Sequence, residues 1–361
     1  MIDRRKFIQT VSTAAAFVAH LTNTSQAHPF TSEGRFVSAD EINSLEEDIP
    51  LGGTRIKMIG VGGGGSLAVE HMMSGDFAGV ELICADTDAG ALACHRSHKA
   101  IRLGHNGLGT GCTPADGGKA AEASVQDIRA AIQGAHMLFI TVVMGGRTGT
   151  GATPVIARLA REMGILTVVG VVTQPFIRKD RRGLTDADAS LAELEANADA
   201  VIVMRYAKLL EFLGEDAAPD AVLAHANSVL KNLVRDTALA VNVPCHVGVD
   251  FEDVCTVLGV PGKAVIGAAL ARGQDRARIA AEQAVANPLF EGVKLADAKG
   301  VAVLVSAAQG RFKLSDSKSA MNTIRAGASP EAHIIYGTTY DDELGEKIRV
   351  TVIATGLSLG P

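Results

Sequence analysis

The sequence has no tryptophan, few aromatic residues (4%) and no excess of positive charge. Its 34 basic and 40 acidic residues give a formal net charge of −6, so it lacks the basic surface that nucleic acid or an anionic membrane requires. We therefore predict no nucleic-acid partner. The five cysteines include no Cys-x-x-Cys pair, which favours buried or incidental thiols over a disulfide framework or a zinc site. We also predict no metal site at His95, His98 and His105, because their polar surroundings are typical of a solvated face.

Glycine, in contrast, is abundant and unevenly distributed. There are 39 glycines in 361 residues, above the usual share of about 7%, and 19 of them fall between Gly60 and Gly151. Hydrophobic residues make up 47% of the chain, which is enough for one or two globular domains. The glycine-rich region is therefore the part of the sequence that most needs a functional explanation.

The first 30 residues have the layout of an export leader. Arg4 and Arg5 precede a weakly apolar run from Val11 to Leu21, and a small-x-small site follows at Ser25–Ala27. This order predicts a leader of the twin-arginine type over residues 1–30. The alternative is a disordered or weakly helical cytoplasmic extension. Residues 31–54 are acidic and are predicted to form a linker.

The rest of the chain predicts an α/β fold in three parts. Alternating apolar runs and helical stretches over residues 55–220 predict a parallel sheet. A long helix is expected over residues 221–243, and a second, smaller α+β domain over residues 244–361. Polar and apolar residues alternate from Lys347 to Val352, which predicts a sheet with one solvent-facing side. The predicted strands are Ile56–Val61, Val80–Ala85, Met137–Val143, Ile165–Val172, Ala200–Met204, Val301–Val305, His333–Thr338 and Lys347–Ala354.

Two glycine runs each follow a predicted strand and precede a predicted helix. Gly60–Gly65 and Gly145–Gly151 would let the backbone approach phosphate closely at a helix N-terminus. A third flexible loop, Gly107–Pro114, could cover a terminal phosphate. Three such loops predict a polyphosphate site, and the chain has no P-loop motif. Gly60-x-Gly62-x-x-Gly65 with Asp86 also matches a dinucleotide fingerprint, so a nicotinamide-dependent enzyme is an alternative.

Several motifs, in the same order, resemble the FtsZ family of bacterial tubulin homologues. The Gly145–Gly151 run stands where that family has Gly-Gly-Gly-Thr-Gly-Thr-Gly. The resemblance extends from about Arg55 to Gly356 and is therefore not confined to one loop. Its other segments are Ile56–Gly65, Asp86–Ala89, Ala226–Leu230, Val249–Val254, Gly273–Ala277, Asn287–Leu289 and Arg349–Gly356.

The resemblance implies a GTPase that polymerises head to tail, with GTP as ligand and Mg²⁺ as its expected companion. It implies that Asp250 and Asp253 enter the neighbouring subunit's site as catalytic residues. For Asp250 the residues alone, without the resemblance, favour a helix-capping role. A second copy of the chain, or another FtsZ, is the implied partner. The implied nucleotide-binding residues are Gly62, Gly63, Gly64, Gly65, Ser66, Asp86, Thr87, Asp88, Thr110, Gly111, Cys112, Thr113, Gly146, Arg147, Thr148, Gly149, Thr150, Gly151, Lys179, Arg182, Gly183 and Asn227.

The chain also departs from the family pattern inside its loops. Ser66-Leu67 replaces Gly-Asn, and Arg147 replaces a glycine of the signature. Lys179 takes the position of a ribose-binding Glu, Gly183 that of an Arg with Arg182 beside it, and Leu223 that of an aromatic residue. These changes leave a second hypothesis open, a nucleotide-binding regulator or scaffold with little or no hydrolysis.

The terminal segments bear on partners and location. The sequence ends at Pro361 without the peptide by which division FtsZ docks membrane adaptors, so we expect no adaptor recruitment and a divergent FtsZ-like paralogue. A GTPase needs the cytosolic GTP pool, which favours a cytoplasmic protein. Export by the leader is the alternative.

Overall fold

The computed structural model describes residues 53–73, 79–109, 113–174, 181–214, 216–243, 245–260, 262–290 and 292–357, with the backbone alone at 181–185 and 212. The strands are β1 (Ile56–Val61), β2 (Val80–Asp86), β3 (Lys99–Arg102), β4 (Met137–Val143), β5 (Thr167–Gln174), β6 (Ala200–Arg205), β7 (Lys263–Ala271), β8 (Gly300–Ala307), β9 (His333–Tyr340) and β10 (Ile348–Leu357).

Eleven α-helices lie within the described residues. They are α1 (Gly62–Met73), α2 (Ala89–Cys94), α3 (Pro114–Ala123), α4 (Val125–Ile132), α5 (Arg147–Glu162), α6 (Arg181–Asn197), α7 (Tyr206–Leu213), α8 (Pro219–Asn242), α9 (Phe251–Leu258), α10 (Arg276–Val285) and α11 (Leu314–Gly327). Within this part of the chain, no helix is both long and apolar enough to cross a bilayer.

All ten strands form one sheet in the order β3-β2-β1-β4-β5-β6-β7-β10-β8-β9. The first six strands of that order are parallel, so their carboxyl ends meet at one edge. The sheet continues into the C-terminal half (β7 to β10) through two residue pairs among the described residues, Val201 with Lys263 and Ile202 with Ala264. Beyond this junction β10 pairs antiparallel with β7 and β8.

Helices cover both faces of the sheet, which explains why its strands are apolar along their whole length. Successive residues of β1 enter opposite cores: Met58 packs with α8 residues such as Leu230, and Ile59 packs with α4 and α5 residues such as Ile128. A third core fills one face of the C-terminal half, around Val303. The α/β class and the parallel sheet are as expected from the sequence.

The strands Ile56–Val61 and Met137–Val143 have the predicted bounds. Other elements differ. The sequence pattern predicts a helix from Leu67 to Met73, but α1 begins at Gly62, so the first glycine run forms its opening turn. The pattern also predicts one helix from Gly118 to Gln133, but this region holds two helices, because the backbone at Ser124 (φ −113°, ψ 21°) leaves the helical conformation between them.

The expectation of a solvent-facing side on the last strand is wrong. Every residue of β10 from Ile348 to Ala354 is buried, including Arg349 and Thr351. These polar side chains bind the buried carboxylate of Asp236 on α8 and therefore need no water. The domain boundaries stay predictions. The leader and all but the last two residues of the acidic linker lie outside the described residues.

Candidate functional site

The two glycine runs meet at the carboxyl edge of the parallel strands. Gly62 follows β1 with a left-handed backbone (φ +72°), a conformation that side chains rarely adopt. A Cβ on Gly62 would lie 3.0 Å from the backbone nitrogen of Gly149 in the second run. Only glycine therefore allows the two loops to come this close.

A hydroxyl pair joins the turn after β2 to the second glycine run. The Oγ1 atoms of Thr87 and Thr148 lie 2.8 Å apart. The third loop is attached to the same turn, because the Gly109 N–H donates to the Thr87 carbonyl oxygen (3.1 Å). Three loops that are distant in sequence thus form one surface.

The turn after β2 is stabilised by its own carboxylates. One Asp86 oxygen accepts the backbone N–H groups of Thr87 (2.7 Å) and Asp88 (3.2 Å). One Asp88 oxygen caps α2 by accepting the N–H groups of Gly90 (2.8 Å) and Ala91 (3.1 Å). These bonds fix the turn and leave the exposed Asp88 at the rim of the surface.

The second glycine run opens α5. Gly145 has a φ of +93°, and its N–H donates to Thr150 Oγ1 (3.0 Å). Arg147 is the first residue of the helix, its φ is not positive and its side chain is exposed. Because α1 and α5 both start at this edge, two helix N-termini offer N–H groups and positive dipole ends to an anion.

Burial divides the predicted binding residues into two sets. Ser66 and Thr87 are almost inaccessible, at 0% and 1% exposed, and we assign the buried set to shaping the loops. Its members are Gly62, Gly65, Ser66, Asp86, Thr87, Gly149 and Thr150. The accessible set, from which we expect ligand contacts, is Gly63, Gly64, Asp88, Thr113, Gly146, Arg147, Thr148 and Gly151.

Thr113 is held beside the second glycine run. It caps α3, where its N–H and its hydroxyl donate to the Asp116 carboxylate (3.2 and 2.7 Å). That hydroxyl bond is the main reason that the pKa of Asp116 is lowered. Sequence reasoning missed Asp116, although Thr113-x-x-Asp116 ahead of a helix has the spacing of a capping box. A Cβ on Gly151 would meet the Pro114 carbonyl oxygen, so α3 and α5 pack closely here.

Asn227 is half-buried on α8, which packs against α1. The next residue, Ser228, has its hydroxyl oxygen 3.3 Å from Nε2 of His71 on α1. Leu223, one turn earlier, packs against the core. Arg182 and Gly183 lie in the first turn of α6, where the backbone alone is described. Thr110, Gly111, Cys112 and Lys179 lie outside the described residues.

Asp250 and Asp253 lie at the other edge of the sheet. Their helix α9 contacts the start of β5, where the Thr167 hydroxyl donates to Cys255 Sγ (2.9 Å). The ring of Phe251 lies 6.2 Å from that of His136, which precedes β4. The seven residues of β4, at roughly 3.3 Å each, put about 20 Å between this edge and the glycine loops. Within one chain the two acids and the loops are therefore apart.

The two acids interact with each other. One Asp250 oxygen accepts the Asp253 N–H (2.7 Å), so Asp250 caps α9. The capping role expected as the alternative for Asp250 is thus confirmed, and it does not exclude a second role. Burial raises the pKa of Asp253, the negative charge of Asp250 raises it further, and a backbone hydrogen bond from Asp250 and the charge of His333 oppose the rise.

His95 and His98 make hydrogen bonds within the fold, and the described cysteines form no disulfide. His95 lies 2.8 Å from a Glu70 oxygen, and His98 accepts the Leu82 N–H (3.0 Å). Among the described residues no group of three potential metal ligands occurs. The four described cysteines are free thiols, and Cys84 is buried.

Comparisons with known proteins agree with this arrangement. Residues 55–214 match the GTPase domain of the tubulin/FtsZ family, and residues 262–358 match the C-terminal domain of the FtsZ family. Cell division protein FtsZ of Neisseria meningitidis serogroup A is 41% identical over 307 residues, which cover 84% of this chain and 78% of that protein. Its counterpart in Pseudomonas putida is 43% identical over 305 residues, 84% of this chain and 76% of that protein.

The solved structure of an empty FtsZ dimer from M. jannaschii is 31% identical and has a TM-score of 0.79. The match covers 89% of this chain and 93% of that chain. These findings overturn the nicotinamide alternative and favour a GTPase over a scaffold without hydrolysis. The chain belongs to the FtsZ family of tubulin-like GTPases.

Proposed function

We propose that this chain binds GTP at the glycine-rich edge of one subunit and hydrolyses it when a second copy docks head to tail. Family membership supports the GTPase activity and a role in cell division. The details of the site, the direction of assembly and the catalytic residues are the proposal. A relative described as a dimer supports association between copies of this chain.

One observation carries the proposal. The two glycine runs and the Asp250–Asp253 segment lie at opposite edges of the same sheet. At ~3.3 Å per residue of β4, these edges are about 20 Å apart. A single subunit therefore has half of a site at each edge. We call the edge with the two glycine runs the glycine edge, and the edge with Asp250 and Asp253 the acidic edge. Translation of a second copy along the strand direction brings its acidic edge to the first copy's glycine edge. Repetition of this contact gives an open filament rather than a closed dimer.

The glycine edge is suited to the triphosphate. The N-termini of α1 and α5 present backbone N–H groups, and Arg147 adds a positive charge beside them. We assign the base to the region of Asn227, and the ribose to Lys179, Arg182 and Gly183. Mg²⁺ usually binds through nucleotide phosphates, water and one or two carboxylates. The exposed Asp88 is compatible with that mode, and bound Mg²⁺ would offset phosphate charge.

The acidic edge supplies the hydrolytic groups. Asp250 and Asp253 of the docking subunit would orient the attacking water near the γ-phosphate and accept its proton. The raised pKa of Asp253 moves it toward a proton acceptor's working range. Since hydrolysis then requires two subunits, the activity belongs to the filament. We place the protein in the cytoplasm, where GTP is available.

Mixing two inactive variants of the full chain tests the proposal. Asp253→Asn leaves the glycine edge intact, and Gly63→Asp places a negative charge at the glycine edge while retaining both acids. Each variant alone should release little phosphate from GTP. The mixture should regain hydrolysis, because the glycine edge of one variant meets the acidic edge of the other. Wild-type activity should also rise more than linearly with protein concentration.

Two outcomes would contradict the proposal. If wild-type hydrolysis per molecule is independent of concentration, then one subunit suffices and the two-edge site is wrong. If Asp253→Asn retains full activity, then the acidic edge is not catalytic. An Asp342→Asn variant, which changes an exposed acid in the C-terminal half, serves as the control and should behave as wild type.

A further inference from the structure

A fully buried carboxylate lies in the middle of the longest helix. Asp236 on α8 is 0% exposed and accepts four hydrogen bonds from two strands of the C-terminal half. Arg349 donates through Nη2 (2.6 Å) and Nε (3.2 Å), Thr351 through Oγ1 (2.9 Å) and Ser306 through Oγ (3.2 Å). Each carboxylate oxygen therefore accepts two hydrogen bonds.

Three further charges complete the group. Arg349 also lies 3.0 Å from an Asp341 oxygen, and Arg235 pairs with the other Asp341 oxygen (3.1 Å). Burial alone would lower the pKa of Arg349, but the charges of Asp236 and Asp341 outweigh it and raise that pKa. Arg235 also lies 3.4 Å from an oxygen of the exposed Glu343, so two positive side chains face two buried carboxylates and one exposed carboxylate. We call Asp236, Arg349, Asp341, Arg235, Ser306 and Thr351 the α8 anchor.

Stability alone does not account for such a group. Bringing charges out of water costs about as much as their attraction returns, so apolar residues of similar volume often stabilise a protein equally well. The best-supported role of buried polar groups is to fix one relative position of two elements. A carboxylate that accepts four directed bonds allows one register of α8 against β8 and β10.

The α8 anchor continues by hydrogen bonds to the acidic edge. Ser306 Oγ lies 2.7 Å from Thr339 Oγ1 on β9. The neighbouring residue, Thr338, makes three bonds with Val247. Its N–H (3.0 Å) and its hydroxyl (3.4 Å) donate to the Val247 carbonyl oxygen, and the Val247 N–H donates to its hydroxyl (3.0 Å). Val247 lies three residues before Asp250. The segment that carries the two acids is thus attached to strands that the anchor fixes.

The opposite half of the molecule contacts α8 through an apolar core and two part-buried polar contacts, Ser228 with His71 (3.3 Å) and Asn242 Nδ2 with the Thr54 carbonyl oxygen (3.0 Å). Val222, Ala226 and Leu230 belong to the core beneath β1 and β2. Among the described residues, the sheet joins the two halves through two residue pairs. Buried, charged hydrogen bonds therefore attach α8 to the C-terminal half, whereas apolar packing and two part-buried polar contacts attach it to the GTPase half.

We propose that Asp236 is a positioning residue for hydrolysis, which acts by holding the segment from Val247 to Asp253 in register with α8. The inference rests on the proposed function for the role of Asp250 and Asp253. Asp236 does not touch the nucleotide edge, so its loss should reduce the rate of hydrolysis and leave GTP binding unchanged.

The test replaces the charged pair by apolar residues of similar size. The double variant Asp236→Leu/Arg349→Met should lower kcat about tenfold, because small displacements of catalytic groups cost this much or more. GTP affinity should stay within twofold of wild type. Asp236→Asn keeps the side-chain shape and one acceptor oxygen, so its kcat should lie between those of the wild type and the double variant. This single variant provides the test if the double variant does not fold.

The chain offers a matched control. Arg276 and Asp316 form a second buried pair in the same half (2.6 Å), between α10 and α11. The variant Arg276→Met/Asp316→Leu should change the melting temperature as the test variant does, with kcat unchanged. Equal losses of kcat in both double variants, in proportion to lost stability, would overturn the inference.

Amide hydrogen exchange separates the inference from the proposed function. Exchange at Val247 and Thr338 should become faster in the Asp236 variants and not in the control. This readout needs no catalysis. Unchanged exchange and unchanged kcat in an active protein would refute the positioning role alone. Absence of hydrolysis in the wild type would refute the proposed function, while the exchange result would still decide whether the anchor holds the segment.

Discussion

The hydroxyl oxygens of Thr87 and Thr148 lie 2.8 Å apart, although 61 positions separate the two residues in sequence. Thr87 is buried, and its carbonyl oxygen also accepts the Gly109 N–H. The pair therefore connects the turn after β2, the second glycine run and the third loop.

Removing this bond should weaken nucleotide binding. Thr148→Val keeps the side-chain shape and removes the hydroxyl, and one neutral hydrogen bond contributes about 0.5–1.5 kcal/mol. We expect GTP affinity to fall roughly two- to thirteenfold by this range, measured by calorimetric titration. Thr323→Val removes a comparable hydroxyl bond on α11, to the Ser319 carbonyl oxygen, and should leave affinity unchanged. Equal affinities for the wild type and Thr148→Val would show that the loops hold their positions without the pair.

Two glycine substitutions should separate folding from binding. A Cβ at Gly151 would collide with the Pro114 carbonyl oxygen, whereas a Cβ at Gly63 would meet nothing within 4 Å. Gly151→Ala should destabilise the protein by about 1–3 kcal/mol, the usual cost of overpacking. Gly63→Ala should keep the melting temperature and reduce GTP affinity, because the added methyl group would obstruct the approach of phosphate to the helix N-terminus. Thermal unfolding and titration of both variants check this.

The charge of Arg147 should strengthen binding of the triphosphate. Its side chain is exposed at the first turn of α5, where an anion is also favoured by the helix dipole. Arg147→Ala should weaken GTP binding, with the difference shrinking as salt is added, because exposed charges are screened. Arg325→Ala, an exposed arginine on α11, is the control. Tighter binding by Arg147→Ala would mean that the side chain obstructs the loop.

The sequence predicted best those elements whose surroundings are uniform. β1 and β4 are buried on both faces, so their bounds coincide with apolar runs. The sequence does not indicate β3, Lys99–Arg102, because it is a four-residue edge strand with two exposed residues. The alternating pattern of the last strand wrongly predicts a solvent-facing side, because Arg349 binds Asp236, which is 113 positions away. No local pattern indicates that a polar residue will find such a partner.

The site could be predicted in its components and not in its connections. Glycine runs after strands identify the loops, since parallel strands bring their carboxyl ends together. The contact of Thr87 with Thr148 depends on the register of β2, β1 and β4, and burial decides that Ser66 supports the loop and does not face solvent. Sequence spacing leaves both of these undetermined.

Asp250 should have separable structural and chemical roles. Its side chain caps α9 through the Asp253 N–H, and asparagine caps a helix about as well as aspartate. Asp250→Asn should therefore not lower the melting temperature, whereas Asp250→Ala should lose about 1 kcal/mol of capping stability. If the carboxylate is needed for hydrolysis, both variants lose activity. Full activity in Asp250→Asn would leave capping as its sole role.

Asp253 should reduce stability at neutral pH while it supports hydrolysis. Burial, and then the charge of Asp250, raise its pKa above the ordinary value of 3.8, so the folded state favours the protonated form. For such a group the stabilising contribution is complete below 3.8 and is lost as the pH rises through the raised value in the folded protein. Asp253→Asn removes the carboxylate charge at neutral pH.

We therefore expect Asp253→Asn to melt at a higher temperature than the wild type at pH 7, and the difference to vanish below the ordinary pKa, where both side chains are neutral. Its GTP hydrolysis should be abolished with GTP binding retained. Glu252→Gln, which neutralises the exposed neighbouring acid, should show no such gain in melting temperature. A lower melting temperature for Asp253→Asn at pH 7 would mean that the carboxylate stabilises the fold. A carboxylate kept for catalysis at the expense of stability must instead give a higher melting temperature when it is replaced.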